Sequence, residues 1–84
     1  MSYYLYILTC ADNTLYTGIT TDLTRRVGEH NSGGVGAKYT RARRPVNLVY
    51  AKRYKDRSKA SIAEARIKQL SREEKLALIA TYKS

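Results

Sequence analysis

Apolar and polar positions along this 84-residue chain change period several times, and each change marks an element. Residues 3–9, Tyr-Tyr-Leu-Tyr-Ile-Leu-Thr, and 15–19, Leu-Tyr-Thr-Gly-Ile, are aromatic and β-branched runs that predict two strands. Ala11-Asp12-Asn13-Thr14 between them is turn chemistry, because Asp and Asn bond their own backbone and tolerate left-handed angles. The two strands therefore form a hairpin. Gly18, inside the second, marks a bulge or a close approach of another group to the backbone. A helical period follows over 22–31, with Thr20, Thr21 or Asp22 as its cap. Residues 32–45 hold three of the five glycines and the single proline and read as a flexible basic loop. Residues 46–54 predict a third strand, and Ser58 opens a helix to Leu70. Ser71 with Glu74 forms a capping box that starts a last helix, ending at Tyr82. The order β-β-α-β-α-α predicts an α+β fold, a three-stranded sheet flanked by helices, built as a single domain over 1–84.

Two registers are open to the hairpin. A tight even-numbered loop on Asp12-Asn13 sets Tyr6 against Ile19 and Thr9 against Tyr16, which puts Tyr6 and Tyr16 on opposite faces. An odd loop, or a bulge near Gly18, sets Tyr6 against Gly18 and Tyr16 against Leu8, on one face. In the first helix Leu23, Val27 and His30 share a face with Arg26 on its edge, so Arg26 and His30 sit one turn apart, facing the sheet. Such a pair calls for an anion such as phosphate; otherwise Arg26 snorkels and His30 is a satisfied boundary residue. In the helix over 58–70 the apolar stripe is Ala60, Ala63, Ile67 and Leu70, with Glu64 at its rim. A carboxylate there is a surface residue, a ligand for a hard cation such as Mg²⁺, or an ion-pair partner for Arg26.

Composition sharpens this picture. Sixteen Lys and Arg against seven Asp and Glu give a net +9, while residues 1–24 carry no Lys or Arg and a net −2. The positive charge is thus concentrated after residue 24, a distribution suited to a polyanion such as nucleic acid. An anionic membrane is the weaker match, because the basic helices lack the Trp and Phe that anchor an interfacial helix. The lone Cys10 excludes an intramolecular disulfide and a cysteine-only metal cage, and suits a reducing compartment. The start of the chain does not read as a signal peptide, and no apolar run is long enough to cross a bilayer, so a soluble, cytoplasmic protein is expected. Eight tyrosines with no Phe and no Trp put hydroxyls wherever aromatic bulk is needed. Near a guanidinium and a metal, such hydroxyls can donate to, or take a proton from, a water attacking phosphorus.

Taken together, Tyr4-Leu5-Tyr6, Tyr16-Thr17-Gly18, Asp22-Leu23-Thr24-Arg25-Arg26 and His30-Asn31 resemble the signature of the GIY-YIG endonuclease superfamily, and in particular its small stand-alone UPF0213 subfamily. The resemblance implies catalytic roles for Tyr6, Tyr16, Arg26 and His30, a structural role for Gly18, and Glu64 as ligand of one divalent ion, Mg²⁺ or Mn²⁺. It implies hydrolysis of nucleic-acid phosphodiesters, DNA in the first instance. Structure selectivity in repair or processing is expected, because nothing in the chain looks built to read bases. Lys38, Arg41, Arg43 and Arg44 would hold the strand by phosphate contacts. The first motif departs from the superfamily pattern, with Tyr4 in place of its glycine, and the late asparagine of some members has no counterpart. A non-catalytic nucleic-acid-binding module of the same fold is the alternative.

Overall fold

A computed structural model describes residues 2–33 and 38–82 of the chain; positions 34–37 of the predicted basic loop lie outside these. The elements run β1 (Tyr3–Thr9), β2 (Leu15–Thr20), α1 (Leu23–Ser32), β3 (Asn47–Tyr54), α2 (Arg57–Lys68) and α3 (Arg72–Tyr82). The strands form one antiparallel sheet in the order β2-β1-β3, which is the expected α+β architecture.

Local chemistry explains most of the boundaries. The Asp22 carboxylate accepts from the Arg25 N–H at 3.0 Å to start α1, and Gly33, at φ 76°, ends it with its N–H on the Glu29 carbonyl. The capping box of α3 is closed in both directions: the Ser71 N–H donates to Glu74 Oε1 at 2.8 Å and the Glu74 N–H to Ser71 Oγ at 3.1 Å. The start of α2 differs from the expectation at Ser58. Asp56 is the cap, its carboxylate accepting from the Lys59 N–H at 2.9 Å, and an anionic cap also complements the helix dipole.

The hairpin takes the odd register. Cys10 N–H donates to the Thr14 carbonyl and Asn13 N–H to the Cys10 carbonyl, both at 2.9 Å, and Asn13 is left-handed at φ 67°. The loop proper is thus Ala11-Asp12-Asn13, a three-residue connection with its last residue left-handed. Asp12 braces it by accepting from the N–H and hydroxyl of Thr14 at 3.1 and 2.6 Å. Tyr6 consequently pairs with Gly18 and Leu8 with Tyr16, so both phenols lie on one face.

Both faces of the sheet are covered. Tyr6 and Leu8 pack with Leu23 and Val27 of α1, while Leu5 and Ile7 pack with Ile67, Ala63 and Leu70 around α2 and with Leu78 and Ile79 of α3. Leu5 to Leu8 are therefore buried without a break, as a central strand between two layers requires. On the β3 side the pairing shifts between Ile7–Tyr50 and Leu8–Leu48, making Val49 the extra residue of a bulge.

The described part of the basic loop, residues 38–45, is tied down, contrary to the expectation of a flexible segment. Arg43 N–H bonds the Thr40 carbonyl at 2.9 Å, and Ala11 N–H bonds the Arg43 carbonyl at 2.8 Å. Asn31 clasps the segment's end, accepting from the Val46 N–H at 2.7 Å and donating to the Val46 carbonyl at 3.1 Å. No helix among the described residues is long and apolar enough to cross a membrane.

Candidate active site

On the face shared by β1, β2 and α1, the rings of Tyr6, Tyr16 and His30 form a cluster. Centroids lie 6.3 Å apart for Tyr6–Tyr16, 6.0 Å for Tyr6–His30 and 5.0 Å for Tyr16–His30. Gly18 makes room for it. A Cβ on Gly18 would stand 2.6 Å from the Tyr6 hydroxyl and 2.8 Å from its ring, so the glycine serves close approach rather than an unusual backbone angle. Gly18→Ala is expected to push the Tyr6 ring aside and lower stability by about 1–3 kcal/mol. Chemical denaturation reads this directly, and an unchanged midpoint would mean the ring has somewhere else to go.

Depth separates the members of the cluster. Tyr6 is 1% exposed and His30 0%, whereas Tyr16 is only half-buried. His30 lies deeper than a boundary residue and has both ring nitrogens engaged. Its Nε2 is 3.0 Å from the Tyr6 hydroxyl and its Nδ1 2.8 Å from Thr40 Oγ1. Burial first, and then the neighbouring Arg26 charge, hold the imidazole below its usual pKa, so it is neutral at pH 7. Burial pushes the Tyr6 phenol up to about 12, outweighing the opposing pull of Arg26. Desolvation is thus the larger effect at Tyr6, exceeding the influence of the adjacent guanidinium.

Arg26 stands beside the Tyr6 hydroxyl, close enough to stabilise its ionised form, and its Nη1 donates to Glu29 Oε1 at 2.9 Å. The carboxylate paired with Arg26 is thus that of Glu29, while Glu64 has Lys68 Nζ 3.4 Å from its Oε2 and a side chain that is 23% exposed. Its negative charge is the smallest of the influences that raise the Tyr6 phenol pKa. Beside the cluster, an open groove of about 250 Å³ is lined by Leu15, Tyr16, Thr17, Tyr39, Lys68 and Lys75.

Among the described residues no three of His, Cys, Asp and Glu gather as a ready-made metal cage. A partly exposed carboxylate paired with a solvent-facing lysine nonetheless suits Mg²⁺, which takes one or two protein carboxylates and completes its shell with water and phosphate. Glu64 is the side chain that would hold such an ion.

The four loop cations divide. Lys38 and Arg41 are exposed. Arg43 is occupied, donating to Asp12 Oδ2 at 3.0 Å and to the Tyr39 carbonyl at 2.8 Å while its guanidinium lies 4.3 Å above the Tyr39 ring. Arg44 donates to the carbonyls of Arg41 and Asn31 at 3.0 and 3.1 Å. Arg43 and Arg44 therefore brace the segment as well as adding charge to it. Sequence reasoning did not single out Thr40, Glu29, Tyr39 or the two groove lysines. Glu29 was findable, since it stands three residues from Arg26 on one helix face; Thr40 sits in an aperiodic segment that offers no such signal.

The GIY-YIG catalytic domain family matches residues 2–77 of the chain. A UPF0213 protein of Desulfotalea psychrophila is 56% identical over 78 residues, 93% of this chain and 71% of that protein. Another from Streptococcus agalactiae is 51% identical over 81 residues, covering 96% and 91% of the two chains. The solution NMR structure of a UPF0213 protein from Bacillus halodurans superposes with a TM-score of 0.62 at 44% identity, over 96% of this chain and 85% of that one. A protein structure from E. faecalis gives 0.66 at 42% identity, over 99% and 88%. With these matches spanning nearly its whole length, this chain belongs to the GIY-YIG domain family and, within it, to the UPF0213 group.

Proposed function

We propose that the protein hydrolyses phosphodiester bonds of nucleic acid, DNA in the first instance, at the Tyr6–Tyr16–Arg26–His30–Glu64 cluster. The observation that supports this most is the clustering of the Tyr6 and Tyr16 phenols with the His30 imidazole on one face of the sheet, with the Arg26 guanidinium beside the Tyr6 hydroxyl. Glu64 would hold one divalent ion, Mg²⁺ or Mn²⁺, whose chemistry is to neutralise charge on the phosphoryl and leaving oxygens. Of the two site phenols Tyr16 is the one nearer solvent, and it is the group to orient the attacking water and, once ionised to the phenolate, to receive its proton. Tyr6 and His30 are too deep to meet that water in this conformation, so they act by holding the cluster's shape. Arg26 steadies the charge that grows on the non-bridging oxygens.

Strand binding is assigned to the groove beside Tyr16, with Lys68 and Lys75, together with Lys38, Arg41, Arg43 and Arg44. These are phosphate contacts and carry no base readout. They suit a substrate chosen by shape, as in DNA repair or processing.

The burial of Tyr6 and His30 favours one alternative, a binding module of the same fold without hydrolysis. Branched and linear DNA incubated with and without Mg²⁺ separates the two. Ion-dependent cleavage by the wild type, abolished in Glu64→Gln with binding retained, is the expected result. Equal cleavage by both proteins would remove Glu64 from the metal role, and binding with no cleavage under any divalent ion would leave the binding module.

A further inference from the structure

Thr40 comes from the segment between α1 and β3, yet its side chain is 0% exposed and touches the imidazole of His30. We propose that Thr40 is a positioning residue that locks His30 in the Nδ1–H tautomer, leaving the Nε2 lone pair to accept a hydrogen bond from the Tyr6 hydroxyl. Its importance for hydrolysis rests on the function proposed above; the tautomer assignment stands on geometry alone.

Two contacts favour one direction for the chain. The His30 main-chain carbonyl lies 3.5 Å from Thr40 Oγ1 and offers its hydroxyl hydrogen a long acceptor, which leaves the threonine oxygen to accept from Nδ1–H across the 2.8 Å contact. At the other end the Tyr6 oxygen faces the Arg26 guanidinium, which has only donors. The phenolic hydrogen is then best directed to Nε2, 3.0 Å away. The opposite tautomer would aim an Nε2–H at the Tyr6 oxygen and turn the phenolic hydrogen toward a cation. One run of hydrogen bonds therefore passes from Tyr6 through His30 to Thr40 and back to the His30 backbone. It joins β1, α1 and the basic segment.

The consequence for the site is directional. With its hydrogen on Nε2, Tyr6 presents lone pairs, not a proton, toward Arg26. This keeps the guanidinium beside the cluster without an N–H meeting an O–H head-on. Valine would fill the volume of Thr40 but has no oxygen to accept from Nδ1–H.

The chain has a single histidine, so the side-chain ¹⁵N–¹H spectrum of uniformly labelled protein reports on His30 without assignment work. The wild type is expected to show a protonated Nδ1 and an unprotonated Nε2 at pH 7.5. Thr40→Ser should keep that pattern, and Thr40→Val should shift it toward Nε2–H or a mixture. An Nε2–H wild type, or a tautomer unmoved in Thr40→Val, overturns the assignment. In the cleavage assay Thr40→Val should be slower by about 10–100-fold and Thr40→Ser near wild type, the range typical of groups that orient a functional side chain. Full activity in Thr40→Val despite a switched tautomer overturns the positioning role. If the wild type cleaves nothing, the spectra still decide the tautomer, and the failure belongs to the proposed function.

Discussion

Arg26→Ala is expected to slow phosphodiester hydrolysis by about 10²–10³-fold, the usual effect of removing one aimed donor from a site where negative charge develops. Affinity for nucleic acid should fall far less, because the basic groove and loop remain. Its partner Glu29 is partly exposed, so the lost ion pair alone weakens folding by no more than about 1 kcal/mol, and truncation of a side chain only 19% exposed, beside the Tyr6 hydroxyl, adds a packing cost to that. The activity loss should appear in protein that a melting curve shows to be folded. Arg26→Lys should not restore the rate, since an ammonium lacks the planar fork that can face Glu29 and a phosphoryl oxygen together. Single-turnover cleavage with saturating DNA is the measurement. A rate for Arg26→Ala within threefold of wild type would rule out the proposed role of the guanidinium.

His30→Ala should destabilise the fold by about 3 kcal/mol, because it opens a cavity and strips buried partners from the hydroxyls of Tyr6 and Thr40. It should also change the response to acid. The folded pKa of His30 lies below 6.5, so between these two values the unfolded chain binds a proton that the native protein refuses. The corresponding stability is fully present above about pH 6.5 and is lost as pH falls through the folded value, with a slope of up to about 1.4 kcal/mol per pH unit. Asp12, also held below its usual value, by its bonds to Thr14 and by Arg43, lost as pH falls below the carboxylate range, acts at lower pH than this window. Urea midpoints at pH 5, 6, 7 and 8 test the point. Parallel pH profiles for wild type and His30→Ala would show that the imidazole takes up its proton as readily when folded as when unfolded.

Much of this architecture is readable from local chemistry. The capping box at Ser71 and the Asp12-Asn13 turn are side chains bonding backbone a few residues away, so neighbours in sequence suffice to find them. The start of α2 is harder to read, since both Asp56 and Ser58 are good caps and the choice depends on where the chain leaves β3. The Val49 bulge is a matter of pairing between strands some forty residues apart, which no local pattern encodes. In the site, helical spacing places Arg26 and His30 side by side. What each one touches is set from elsewhere: Glu29 wins Arg26 by proximity on the same helix, while Thr40 reaches His30 only because Arg43 and Asn31 pin its segment to the turn and to β3. The hairpin register was open for a similar reason, as loop parity depends on one left-handed residue, Asn13.

The Tyr6–His30–Thr40 chain is also part of the interior that holds the sheet against α1. Inactivating substitutions should therefore sort into two populations in a living cell. Changes at Arg26 or Glu64 should leave abundant, well-behaved protein with no chemistry. Changes at Tyr6, His30 or Thr40 should thin the protein out through proteolysis before its chemistry is ever asked for, since a loss of 1–2 kcal/mol is enough to alter abundance several-fold.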